Sequence, residues 1–124
     1  MILSRGAPAA PSKTARGAGT VLGALVVLQL LFSAAMKLVR PSGVPEHFAE
    51  LGWRMRDVTV LALLELACTA LYLVPRTRKA GAVLLTGYLG GAVATHVRIG
   101  DGVFPYPLLL GAAVWGALYL RAEL

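Results

Sequence analysis

The sequence predicts an all-α integral membrane protein, a four-helix bundle with a short interfacial helix between the first two spans. Three observations carry that expectation: 57% of the 124 residues are hydrophobic and 15% charged, the mean hydropathy is +0.71, and the apolar residues fall into four runs of spanning length. A soluble chain this short buries only about two-thirds of its surface, so much of this apolar material would face water. Lipid removes the conflict.

Residues 1–16 are rich in Ala, Gly, Pro and Ser and include Arg5, Lys13 and Arg16. They carry no apolar periodicity and are expected to form a disordered tail. The transmembrane domain is expected over 17–124. Its first span, 17–39, opens with twenty uncharged residues, enough to cross about 30 Å of hydrocarbon. The second, 57–75, is interrupted only by Glu65 within its apolar run; the third, 80–99, carries His96; the fourth, 103–121, begins beside Pro105 and Pro107. All-round hydrophobicity favours embedded helices over amphipathic surface ones.

The connections after the second and third spans are short, which makes sequential helices antiparallel neighbours. The first connection is longer. Pro45 stands as a first helical residue, Glu46 follows it, Phe48 and Leu51 share a face, and Gly52 is a stop, so a short helix is expected at the membrane interface with Trp53 as an aromatic anchor.

Charge placement predicts orientation. Seven basic residues flank the side that holds both termini and the 76–79 turn, against five on the other side, so both termini are expected in the cytoplasm. The net charge of +6 and the pI near 10.1 do not imply nucleic acid, because the basic residues sit at the ends of apolar runs instead of lining one face. A cleavable signal peptide is the rival for the first span. Against it, Gln29, Ser33 and Lys37 repeat every four residues and make one polar stripe, as an interior helix face does.

Glu65 lies at the middle of its span, where an ionised group costs about 2.5–3.5 kcal/mol unless protonated, paired or wet. Lys37 and His96 are expected at the same end of the bundle, and Lys37 can bend its stem inward. A binding site of Lys37, Glu65, His96, Ser33 and Tyr72 follows as an expectation, with an interfacial anchor as the plain alternative for Lys37. The single cysteine, Cys68, excludes an internal disulfide and reads as an apolar filler. No metal site is expected, since no Cys/His spacing fits one. Gly87 and Gly91 stand in GxxxG spacing, for which close packing inside the bundle is preferred over homo-oligomer formation.

The segments FSAAMKL at 32–38, FAELGW at 48–53, LELA at 64–67, LVPRT at 73–77 and GGAVATH at 90–96 together resemble the DoxX-like family of small four-helix bacterial membrane proteins. The resemblance covers most of 20–120 and rests on the order and spacing of short motifs. It implies a bacterial inner-membrane location. Some members resemble the small membrane subunit of a thiosulfate:quinone oxidoreductase, and others accompany membrane redox and sulfur-handling enzymes. Lys37, Glu65, Pro75, Arg76 and His96 match polar or turn positions of the family pattern. The function so implied is an accessory or quinone-linked subunit of a membrane redox system, with a quinone as its only cofactor and membrane-associated redox enzymes as partners. The alternatives are a non-enzymatic scaffold and a small proton-coupled carrier, and whether the chain is an enzyme stays open.

Overall fold

A computed structural model describes residues 11–124, which are helical without a strand. Residues 1–10, most of the expected disordered tail, lie outside the described part. Five helices follow in order: α1 Lys13–Val39, α2 Val44–Glu50, α3 Met55–Leu73, α4 Arg78–Ile99 and α5 Pro105–Leu120. A 3-10 turn over Pro75–Thr77 joins α3 to α4.

The ends of these helices follow local chemistry. The Ser12 side chain accepts a hydrogen bond from the Ala15 amide at 3.0 Å, and this cap starts α1 at Lys13, four residues before the expected boundary. Lys13 and Arg16, expected in the tail, belong to its first turn. α1 stops where Arg40 adopts a left-handed conformation, φ 57°, one residue before Pro41. Gly43 and Gly52 bracket α2 with φ of 93° and 87°, a region that suits glycine. α3 ends at Val74, held extended because Pro75 follows. Gly100 closes α4 with φ 69° and returns its amide to the His96 carbonyl at 3.0 Å.

α1 packs on α3 and α5, and α4 packs on the same two, so the four long helices form a ring with α1 and α4 diagonal. The core holds Val26 and Leu30 of α1, Cys68 and Tyr72 of α3, Leu85 and Leu89 of α4, and Val114 and Leu118 of α5. Two glycines allow the tightest approaches. A Cβ on Gly81 would meet the Tyr72 backbone nitrogen and lie 2.7 Å from its Cα, and one on Gly19 would lie 2.9 Å from the Ala117 carbonyl.

Those contacts correct the expected packing seam. Gly87, Gly90 and Gly91 have nothing within 4 Å of a would-be Cβ. The pattern Gly87 to Gly91 is present, but among the described residues no helix is pressed against it.

The surface is apolar. Leu25 and Leu28 of α1, Leu63 and Leu64 of α3, Val83 of α4 and Leu109 of α5 are all exposed, a distribution that water disfavours and lipid accepts. α1 and the Pro75–Ile99 segment are long and apolar enough to cross a membrane. α5 is apolar but 16 residues long, and the 19 residues of α3 include Arg56, Asp57 and Glu65.

Candidate functional site

The polar stripe of α1 faces inward. Lys37, near the end of that helix, directs its Nζ to Glu65 Oε1 of α3 at 2.8 Å and to Ser33 Oγ, one turn back on its own helix, at 2.6 Å. Lys37 is 7% exposed and Glu65 1%. The ring centroids of Phe48 from α2 and Tyr88 from α4 lie 5.9 and 5.8 Å from the same nitrogen. Rings at this range attract a cation through their negative faces. One ammonium thus ties together four helices.

Beside this pair is a cavity of about 610 Å³, within the size range of small-molecule sites. Gln29, Ser33 and Lys37 form its α1 wall, Leu61, Leu64 and Glu65 its α3 wall, and Gly87, Tyr88 and Gly91 part of its α4 wall. Tyr106 and Leu110 come from α5, while Phe48, Leu51 and Trp53 cover the end next to α2. The lining is mostly apolar, with its charge concentrated at Lys37 and Glu65. Such a chamber can take an uncharged ligand that has one polar end.

Two arginines hold the cover. Arg98 of α4 donates through Nη2 to the Leu51 carbonyl at 2.7 Å. Arg40 donates through Nη2 to the Met55 carbonyl at 3.0 Å and also bonds the Thr59 hydroxyl. Both arginines count only as orienting charges in the sequence. Here they fasten the loops on either side of α2.

The expected constellation is assembled in part. Lys37, Glu65 and Ser33 come together, and His96 lines the same cavity. Its Nδ1 pairs with Asp101 Oδ2 at 2.6 Å instead of with Glu65, because the left-handed turn at Gly100 folds Asp101 back over the last turn of α4. Burial pushes the Asp101 carboxyl up, but the Val103 amide, the His96 hydrogen bond and the charges of His96 and His47 outweigh it and leave the acid below its ordinary value.

Tyr72 is a correction. It lies seven residues from Glu65, about 10 Å along the helix, and its hydroxyl donates to the Val114 carbonyl at 2.8 Å inside the core. It does not line the cavity. Tyr88 and Phe48, which the sequence does not single out for the site, hold places beside the ammonium. The only sequence signal for Tyr88 is a hydroxyl inside an apolar helix. Among the described residues no cluster of three His, Cys, Asp or Glu side chains is placed to hold a metal.

A family model described as the DoxX-like family matches residues 21–117. The chain belongs to the DoxX-like family. The match takes in every residue of the Lys37–Glu65 site and the whole of α2, α3 and α4. With the apolar helices, membership makes this DoxX-like chain a small membrane protein. Comparison with curated proteins and with solved structures found no match.

Proposed function

We propose that this DoxX-like protein is the quinone-linked subunit of a membrane redox system. The observation that carries the proposal is the buried Lys37–Glu65 pair in the wall of an otherwise apolar cavity. In this reading all four long helices cross the membrane with both termini cytoplasmic, and α2 lies at the outer interface over the site. Each polar group has a role. The Lys37 ammonium donates a hydrogen bond to a head-group carbonyl, and Glu65 balances its charge and can accept a proton from a reduced head group. Tyr88 and Phe48 offer ring surfaces for stacking. The bound quinone supplies two-electron, two-proton chemistry, and the electrons pass to or from a partner redox enzyme.

A two-residue charge pair suits this task because it presents a donor and an acceptor while leaving the cavity neutral. Titrating the purified protein in detergent with a decyl-substituted benzoquinone, read by quenching of tryptophan fluorescence, tests the proposal. Saturable quenching is expected, with affinity falling about tenfold in Lys37→Met, as for loss of one hydrogen bond. A wild-type protein that shows no saturable binding would sink it.

A further inference from the structure

The cavity is not closed on all sides. α3 and α4 touch backbone to backbone at Tyr72 and Gly81, yet toward α2 they part. On one lip stand Leu61 and Leu64 of α3; on the other, Gly87 and Gly91 of α4. Leu64 lines the cavity and is 51% exposed, so the α3 lip is not sealed by a neighbouring helix. Among the described residues nothing lies within 4 Å of a would-be Cβ on either glycine. The glycines are four residues apart, about 6 Å along the helix, one turn of missing side chains.

The two ways out of the chamber differ in chemistry. At the α2 end the exit is covered by Phe48, Leu51 and Trp53, fastened by Arg98 and bordered by the His96–Asp101 pair. Between α3 and α4 the lips carry two leucines and two glycines and no charge, and the hydroxyl beside them, that of Thr95, is spent on the Gly91 carbonyl at 2.9 Å. A polar solute would lose its hydration on that path with nothing to replace it, whereas a hydrocarbon chain bears no such cost. The charged pair within marks where a polar head would stop.

We infer that the gap between α3 and α4 over Gly87 and Gly91 is a lateral portal, through which an amphiphilic ligand enters from the bilayer core and in which its apolar chain remains. The inference rests on the quinone-binding reading and specifies its ligand class: a polar ring bearing a linear apolar chain, delivered through lipid. Selectivity for the chain resides in the lips, and selectivity for the head in Lys37 and Glu65.

Gly91→Phe and Gly87→Leu fill the portal from one lip, and the open space around both positions lets the bundle form. Two probes are titrated against the protein in detergent: a decyl-substituted benzoquinone, and the same ring with a methyl group in place of the decyl chain. Gly91→Phe is expected to weaken the decyl probe at least tenfold while the methyl probe stays within twofold of wild type, and Gly87→Leu should do the same to a smaller extent. If both probes bind wild type and neither variant separates them, the portal is wrong and the quinone site stands. If neither probe binds wild type, the quinone-binding reading fails and the portal fails with it. A shift of Gly91→Phe to a different oligomeric state by light scattering, with decyl binding unchanged, would make the gap a seat for a neighbouring helix and overturn the portal.

Discussion

Lys37 Nζ and Glu65 Oε1 stand 2.8 Å apart across 28 residues of chain, almost sealed from the outside. The pair holds α1 to α3 at the end of the bundle where α2 crosses. Removing one member of a buried pair strands the other, at about 3–5 kcal/mol. Lys37→Ala is therefore expected to lower the unfolding temperature in detergent sharply, because Glu65 is left in an apolar wall. Glu65→Gln should cost less, since the ammonium keeps Ser33 and two aromatic faces. The double variant should lie above the sum of the singles, and strict additivity would show that the two residues do not interact energetically.

The glycines of α4 divide into two kinds. Gly81→Ala drives a methyl group into the Tyr72 backbone, and overpacking of this sort costs about 1–3 kcal/mol or more, since backbone cannot rotate away. Gly91→Ala meets open space and gains up to about 1 kcal/mol of helix propensity. Thermal melts in detergent should move in opposite directions for the two variants. Equal losses would contradict the open face.

Much of this architecture is legible in the sequence, because four apolar runs, Pro45, Gly52 and Pro75 mark most of the helix ends, while the Ser12 cap that starts α1 lies in a stretch without apolar periodicity. The inward stripe of Gln29, Ser33 and Lys37 and the depth of Glu65 identify the heart of the site for the same reason: a polar group in an apolar helix needs a partner. Spacing alone misleads at Gly87 and Gly91. A GxxxG pattern states that two backbones can approach, but α3 and α4 make their close approach at Gly81 instead. His96 is singled out by the sequence and lines the cavity, but its pairing is not foreseen because the partner, Asp101, is local and lies past a left-handed turn. Tyr72 shares the helical face of Glu65 but lies too far along it to reach the cavity.

The His96–Asp101 contact should make the α4 to α5 turn sensitive to acid. Asp101 is held below its ordinary value of 3.8, so its contribution to stability is present above that pH and is lost as pH falls through the lower folded value. Amide exchange at Gly100 and Val103, whose amide donates to Asp101 Oδ1 at 3.0 Å, is expected to quicken below about pH 4 relative to amides in mid-helix. In Asp101→Asn the step should vanish. Persistence of the same acid-dependent step in that variant would assign it to another group.

Orientation is open to direct measurement. With seven basic residues on one side against five on the other, the proposed arrangement puts the 76–79 turn in the cytoplasm and the loop after α4 outside. Reporter fusions after Lys79 should be active as cytoplasmic fusions, and those after Gly102 as external ones. The reverse pattern would invert the site and place α2 on the inner face.

The cover over the cavity depends on few attachments. α2 is seven residues long with no buried side chain of its own, and its following loop is held by Arg98 through the Leu51 carbonyl. Gly52 fits there without a side chain, since a Cβ would lie 2.9 Å from Arg98 Nη2. Arg98→Met keeps most of the aliphatic stem and removes the donor, so the bundle should retain its unfolding temperature to within a few degrees while α2 lifts more often. In a Trp115→Phe background, which leaves Trp53 as the sole tryptophan, the cavity-lining Trp53 should become more accessible to aqueous acrylamide, with a quenching constant about twofold higher. An unchanged constant would mean that the cover is held by its other contacts, the Phe48 ring over the Lys37 ammonium first among them, and that the arginine is dispensable for closure.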